Sequence, residues 1–322
     1  MMNQTTTTWL IAAAGLVLIG ILAVGGVLSA NHWDPAALSG KSFRTDTVEI
    51  NESFRDITIR SDTEDIDFLA SDDGRCRVVF YEKEKEKPAA SVHKGTLSIE
   101  VPDTRKWFER FTLFSFGSPR ITVYLPQSAY GTLVIDESTG DVTLPADFSF
   151  ESIDINASTG NVVCCSSASG PIRIETSTGD IRLDGISADE LGLCVSTGAL
   201  DVRSAVCEGD FGVKVSTGRT VLTDVSCRNL VSEGSTGDIA MENLIAKERI
   251  SVERSTGDVS FEQCDAAELL IVTDTGDVSG SLCSEKVFIT QSDTGSVMVP
   301  GTTAGGICRI TTDTGDIRID IR

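Results

Sequence analysis

Apolar residues recur at one fixed place from residue 133 to the end of the chain, seven residues before the glycine of a repeated Thr-Gly pair. These positions are Leu133, Ile153, Ile172, Leu191, Phe211, Leu230, Ile250, Leu269, Phe288 and Cys308. Apolar residues also follow two and four residues after the glycine, as in Val142 and Leu144. Alternation with period two predicts strands with one buried face. Each unit is therefore predicted to be a strand, a sharp turn, a second strand and a return loop.

The glycines of these pairs are 19 or 20 residues apart. They are Gly140, Gly160, Gly179, Gly198, Gly218, Gly237, Gly257, Gly276, Gly295 and Gly315. Glycine adopts positive φ at no steric cost, so each is predicted to form a corner. A unit this short cannot bury its apolar face alone, so successive units must stack. The pattern predicts an all-β fold over 133–322: a single-chain β-solenoid whose 19–20-residue coils stack with parallel, in-register strands.

Residues 45–132 show the same alternation without the strict turn, as in Ile57-Thr-Ile59. Solenoids usually need a cap at their ends. This segment is therefore predicted to be a cap region of degenerate β-strands. The aromatic stretch from Trp107 to Phe116 breaks the alternation, which leaves two interpretations, a loop packed over the solenoid end or an exposed contact patch.

An uncharged apolar run extends from Trp9 to Leu28. Its length matches a hydrocarbon core of about 30 Å, so we predict a transmembrane helix over 9–30, after a tail at 1–8 and before a linker at 31–44. A cleaved signal peptide is the alternative. Lys41 and Arg44 favour a cytoplasmic C-terminal domain, but long domains translocate largely regardless of charge. We expect a single-pass protein of the cell membrane with its C-terminal domain outside the cytoplasm.

Charge and cysteine content narrow the classes of partner and site. The net charge is −21, which repels phosphate backbones and argues against a nucleic-acid partner. Nine cysteines, an odd number without a CxxC pair, are interpreted as reduced thiols and not as a disulfide framework or zinc site. Cys264 and Cys283 occupy equivalent places in adjacent repeats, where we expect small core side chains.

The sequence contains no recognisable catalytic constellation. Its two histidines are His32 and His93, and the GxSxG, HExxH, Walker and GxGxxG patterns are absent. Aspartates recur with the coil, as a structural requirement would produce and a single active site would not. We therefore predict no enzyme activity, no catalytic residue and no cofactor.

Acidic residues are densest at the last corners, where Asp replaces Ser. They are Asp274, Asp277, Asp293, Asp313 and Asp316. Stacking would place carboxylates of successive coils about 4.8 Å apart, a spacing that Ca²⁺ could bridge through oxygen ligands. The alternative is that these side chains bond the turn backbone and face water.

Three sequence features resemble the DUF4097 family of bacterial β-strand repeat proteins, often labelled adhesins, with relatives among envelope-stress proteins. They are the repeated Ser-Thr-Gly-Asp turns, the segment Thr96–Val101 and the segment Ile121–Pro126. The resemblance covers residues 45–322 and implies a β-solenoid, usually behind a membrane anchor outside the cytoplasm, without enzymatic activity. The chain departs from the motif where Asn161, Ala199 and Arg219 replace the Asp after the glycine.

Two functions are consistent with this pattern. The first is a membrane-anchored, non-enzymatic solenoid that presents an extended surface to a protein or glycan, in adhesion or cell-envelope architecture. The alternative is a regulatory component of an envelope-stress system that contacts a membrane sensor protein. Function is expected where the repeat is interrupted: at Ala199, at Arg219, in the aromatic stretch and at the Asp-rich last corners.

Overall fold

The computed structural model describes residues 43–83, 88–101 and 119–322. Over these ranges the regular structure consists of strands, with no helix. Consequently, this part of the chain includes no helix of the length and hydropathy that a membrane crossing requires. The transmembrane segment predicted at 9–30 and the aromatic stretch from Trp107 to Phe116 lie outside the described residues.

The N-terminal part forms a stack of strands that covers one end of the repeats. Its strands are β1 Phe43–Ile50, β2 Asp56–Ser61, β3 Asp65–Ala70, β4 Cys76–Lys83, β5 Ala89–His93, β6 Thr96–Glu100 and β7 Arg120–Leu125. β2 and β3 pair in parallel with β6 and β7. β5 pairs antiparallel with β6, β4 antiparallel with β7, and β1 antiparallel with β4. Antiparallel strands therefore close this end of the stack.

The repeats form the solenoid itself, with strands paired in parallel. Their strands are β8 Thr132–Thr139, β9 Val142–Leu144, β10 Ser149–Phe150, β11 Ser152–Thr159, β12 Val162–Cys164, β13 Ser167–Ala168, β14 Ile172–Thr178, β15 Ile181–Asp184, β16 Ser187–Ala188, β17 Leu191–Thr197, β18 Leu200–Cys207, β19 Asp210–Thr217, β20 Thr220–Thr236, β21 Ile239–Thr256, β22 Val259–Cys264, β23 Glu268–Thr275, β24 Val278–Leu282, β25 Lys286–Thr294, β26 Val297–Met298, β27 Gly306–Thr314 and β28 Ile317–Ile321. The predicted all-β solenoid with in-register parallel strands is confirmed.

The core is a set of apolar columns along the solenoid interior. Of the residues seven positions before each glycine, all but Phe288 are at most 2% exposed. Val142 and Leu144 on the second strand are fully buried. The predicted buried face is thus confirmed, and Phe288 is only partly buried because its coil is the last of the stack.

The coils do not all stack in chain order, which corrects the expectation that successive units are neighbours. The C-terminal β27 lies between β23 and β25, and β28 lies between β24 and β26. The inward-facing residues indicate why: β27 offers Cys308, Ile310 and Thr312, whereas β25 offers Phe288, Thr290 and Ser292 at the paired positions. The more polar coil therefore takes the outer place, where it meets water. The N-terminal end shows the same inversion, because β2 separates β6 from β8.

The cysteines are free thiols in the described residues. Cys264 is buried, as predicted, but the prediction for Cys283 is wrong because it is exposed. The register between β22 and β24 shifts after Phe261, so Leu282 pairs with Cys264 and takes the buried place.

Candidate functional site

Each corner glycine is required for two reasons. All ten have φ between 124° and 159°, a region that side chains disfavour. In addition, each packs on the neighbouring coil: a Cβ added to Gly160 would lie 1.9 Å from the carbonyl oxygen of Gly140. The corner motif is therefore explained by the backbone and by the stack, and it needs no ligand.

The residue after each glycine builds a hydrogen-bonded row along the solenoid. Asp141 Oδ1 accepts the backbone N–H of Asn161 at 2.7 Å, and Asn161 Oδ1 accepts that of Asp180 at 3.0 Å. Asp180 Oδ1 accepts the N–H of Ala199 at 2.7 Å. The row then stops, because Ala199 and Arg219 carry no side-chain oxygen. It resumes from Asp238, whose Oδ1 accepts the N–H of Asp258 at 2.9 Å.

The five aspartates considered for Ca²⁺ fall into two separate rows. Asp277 Oδ1 accepts the N–H of Asp316, and Asp316 Oδ1 accepts the N–H of Ser296, which lowers the pKa of Asp316. Asp274, Asp313 and Asp293 stack in the exposed row two residues before the glycine. Across the part of the chain that is described, no group of three or more His, Cys, Asp or Glu side chains is placed to hold a metal ion.

A different feature marks the outward face of the first strands, where two glycines stand side by side. Gly192 on β17 pairs with Gly212 on β19, both at an outward position. A Cβ on Gly192 would meet nothing closer than Arg173 Cγ at 3.8 Å, and one on Gly212 nothing closer than Leu191 O at 3.9 Å. Neither glycine has positive φ. The fold therefore does not require glycine at either position.

The missing side chains leave a depression of about 540 Å³ on this face. Its lining residues include Asp154, Asn156, Arg173, Glu175, Gly192, Cys194, Gly212, Lys214, Val231 and Glu233. Charges of both signs alternate along it. Arg173 Nη2 lies 3.3 Å from Glu190, but both side chains are more than half exposed, so this pair contributes little to stability.

A second depression continues the first toward the N-terminal end. The two share Asn156 and Glu175, and the second extends to Arg60, Asp136 and Glu137. We call this continuous strip, defined by the lining residues just named, the trough. It is an open concavity that crosses successive coils of one sheet, and hydroxyl, amide, carboxylate and guanidinium groups line it together with apolar surface.

A buried acid lies at the N-terminal limit of the trough. Glu137 is 4% exposed, its Oε1 accepts the N–H of Thr139 at 3.0 Å, and its Oε2 has no hydrogen-bond partner within the described structure. Burial raises the pKa of Glu137 to about 8, and the charge of nearby Glu64 contributes in the same direction. The Glu137 carboxyl therefore carries a proton at neutral pH.

The sequence contains one more corner near this region, which the Thr-Gly motif does not include. Asp62-Thr63-Glu64-Asp65 is a further corner, with Glu64 in the place of the glycine. A Cβ added to Gly140 would lie 2.4 Å from the carbonyl oxygen of Glu64, just as the Cβ of one corner meets the carbonyl oxygen of the next. Glu64 Oε2 accepts hydrogen bonds from Ser61 Oγ at 2.6 Å and from the N–H of Thr63 at 3.0 Å. The Asp-Thr-x-Asp pattern could have identified it.

Comparisons with known proteins agree with this architecture. The Toastrack DUF4097 profile matches residues 54–218 and 206–322. A crystal structure of a "putative adhesin" from Parabacteroides merdae has 12% identity and a TM-score of 0.52, covering 74% of this chain and 96% of that one. No curated protein sequence matches.

Two further solved structures are similar at lower TM-scores. A "putative adhesin" from Bacteroides fragilis has 14% identity and a TM-score of 0.42, covering 87% of this chain and 97% of that one. A "putative lipid binding protein" from Parabacteroides distasonis has 15% identity and a TM-score of 0.47, covering 86% and 97%. The profile match spans all of the repeats and most of the N-terminal stack, and it confirms the resemblance drawn from the turns. The chain therefore belongs to the DUF4097 family of Toastrack proteins.

Proposed function

We propose that this protein is a membrane-anchored, non-enzymatic surface protein whose solenoid binds a protein or glycan partner in the trough. The helix predicted at 9–30 would hold it in the cell membrane with the solenoid outside the cytoplasm. The pair Gly192 and Gly212 is the observation that carries the proposal. Neither is needed by the backbone or by the stack, so the open space itself is the property that glycine provides there.

The residues that line the trough favour the binding of a hydrated, polar ligand. Arg173 and Lys214 offer N–H donors, while Asp154, Glu175 and Glu233 offer acceptors. Sugar hydroxyls and peptide groups match such mixed donors and acceptors, whereas a purely apolar ligand would leave them unpaired. The trough is also long, and a repeat protein commonly binds through such an extended face.

Filling the trough tests this proposal. The full chain, purified in detergent and fluorescently labelled, would be applied to a printed glycan array and to an array of bacterial surface proteins. We expect Gly192→Leu with Gly212→Leu to weaken binding at least roughly tenfold, because the side chains occupy the space of the ligand. Ser251→Leu is the matched control, since Ser251 lies in the same outward column beyond the trough. Equal binding by the filled variant and the wild type would refute the proposal.

Cys283 provides a test of topology because its thiol is exposed. A membrane-impermeant maleimide applied to intact cells should label the wild-type chain, and the Cys283→Ser variant should lose most of that signal. Labelling that requires cell lysis would place the solenoid in the cytoplasm and contradict a surface role.

The alternative is that the solenoid regulates an envelope-stress system by contacting a membrane sensor protein. In that case the Gly192→Leu, Gly212→Leu variant would change the output of a stress-responsive reporter. That effect would vanish in a strain that lacks the sensor kinase. A surface-binding function predicts that ligand binding persists in the same strain.

A further inference from the structure

The C-terminal end of the solenoid is an open sheet edge. β25 pairs with β27 on one side, and among the described strands none pairs with its other side. The same holds for β26, whose described partner is β28. We call the coil formed by β25, β26 and the following loop to residue 305 the end coil.

The end coil exposes three apolar side chains, and the adjacent coil has arginine or a fully buried isoleucine at the same positions. Ile289 is 42% exposed, Val297 44% and Met298 63%. Val297 pairs with Ile317, whose side chain is fully buried in the adjacent coil. The apolar interior of the solenoid therefore reaches the surface at this end.

The opposite end is built differently. There the outer parallel layer of β6 and β7 is followed by antiparallel β5 and β4, and β1 pairs with β4. The N-terminal stack thus closes its end with antiparallel strands, whereas no described strand covers the end coil.

β25 has few of the usual protections of an edge strand: its exposed charge is Asp293, close to the corner, and the proline of the end coil, Pro300, lies after β26. Natural edges carry charges, prolines or bulges that discourage pairing. β25 pairs with β27 over Lys286–Thr294 without a register shift, and it contains no proline. Lys286 points inward, 4% exposed, with its Nζ 2.5 Å from Asp265, so its charge does not guard the edge.

The low charge of the end coil indicates that its partner is a second copy of this chain. Residues 286–306 contain one positive and one negative side chain, Lys286 and Asp293, in a protein of net charge −21. Two copies of this chain repel over most of their surfaces, but not at their end coils. An unpaired strand edge provides backbone donors and acceptors that match another strand.

We propose that two copies of this protein associate through their end coils, with β25 pairing antiparallel to β25 of the second copy about a two-fold axis. Such an isologous contact closes at the dimer. It continues the apolar interior across the interface, covers Val297, places Ile289 beside the partner strand, and leaves both troughs open. The dimer goes beyond the proposed function and does not depend on it.

Mass measurement of the full chain in detergent tests the proposal. We expect the wild type to be a dimer and the variant Ile289→Lys with Val297→Lys to be a monomer. The substituted lysines bring like charges close together across the antiparallel strands, which destabilises the pair. The weakening should reach at least roughly tenfold in Kd. Val206→Lys with Ile245→Lys is the matched control, because these residues are 46% and 44% exposed on inner coils.

Each remaining outcome decides against the end-coil dimer. A monomeric wild type at the highest soluble concentration overturns it, and so does a control variant that dissociates equally. Open-ended polymers would indicate head-to-tail contact with the N-terminal stack instead.

Both variants must keep the wild-type circular dichroism spectrum; if Val297→Lys unfolds the end coil, Ile289→Lys alone gives the same test. Binding to the glycan and protein arrays is measured in parallel, so loss of the dimer and loss of trough binding are separable.

Discussion

The protein has glycines that the fold requires and glycines that the fold does not require. At a corner such as Gly160, backbone conformation and the neighbouring coil both exclude a side chain. At Gly192 neither constraint applies. The sequence reveals the first kind through its periodicity, while the second kind is visible only once the register places Gly192 beside Gly212.

This difference predicts the effect of alanine at each place. Gly160→Ala should lower the free energy of unfolding by roughly 3 kcal/mol or more, because the Cβ would collide with Gly140 O. Gly192→Ala should be neutral or stabilising by up to about 1 kcal/mol, since alanine reduces the entropy of the unfolded chain. Denaturant unfolding of the full chain measures both. Equal losses at the two positions would show that our account of the corner is incomplete.

Glu137 should make stability depend on pH. Its pKa rises from an ordinary 4.5 to about 8 on folding, so the folded chain retains a proton that the unfolded chain releases. The stabilising effect of the buried neutral form is complete below pH 4.5 and is lost as pH rises through about 8. Glu137→Gln stays neutral, so it should exceed the wild type in stability at pH 9 by a few kcal/mol, on the order of 1.4 per pKa unit.

Thermal melting at pH 5 and pH 9 measures this effect. The advantage of Glu137→Gln should be large at pH 9 and small at pH 5. Glu175→Gln is the control, because Glu175 lies in the same sheet but faces outward into the trough. An advantage of the same size at both pH values would mean that Glu137 acts through packing and not through its proton.

At the scale of the strand and the corner, the sequence predicts one corner of each coil but not the next. The first corner repeats Thr-Gly, so its position is evident. A second corner also uses positive φ, at Gly185, Ser204, Asp224, Asn243 and Gln263, with φ between 51° and 65°. Five residue types at one structural position leave no motif to recognise. Asp and Asn tolerate this conformation better than most residues, so this corner does not require glycine in every coil.

The interrupted aspartate row predicts a stabilising substitution. Ala199→Asp would place a carboxylate beside the backbone N–H of Arg219, as Asp180 is placed beside that of Ala199. We expect a gain of about 1 kcal/mol, the typical net value of one hydrogen bond. Chemical denaturation detects it, with Ala199→Leu as a control that adds volume without an acceptor. No gain, or an equal gain from leucine, would argue that the row does not contribute to stability.

At the scale of the molecule, periodicity predicted the solenoid but not the order of its end coils. All repeats share one pattern, and a pattern that is the same in every unit cannot specify which unit is whose neighbour. The decisive difference is subtle: Thr290 and Ser292 face inward in β25, where β27 has Ile310 and Thr312. The trough was equally hidden, because it arises from residues on separate coils.

The inverted order predicts an unusual protection pattern in hydrogen exchange. Amides of β27 and β28, although closest to the C-terminus, should exchange slowly because strands flank them on both sides. Amides of β25 should exchange faster in the monomeric Ile289→Lys, Val297→Lys variant. Mass spectrometry of peptides from 286–298 and 306–321 measures the contrast. Slower exchange in 286–298 than in 306–321 would contradict the strand order.

The place of β28 between β24 and β26 also determines how the molecule resists a pulling force at Arg322. A terminal strand at the margin of a sheet can peel away one bond at a time. β28, the strand that precedes Arg322, has neighbours along both edges, so tension on Arg322 must break its hydrogen bonds with β24 and with β26 together. These two sets of hydrogen bonds act as a mechanical clamp, so the surface protein proposed above would keep this coil in place while a bound partner is pulled.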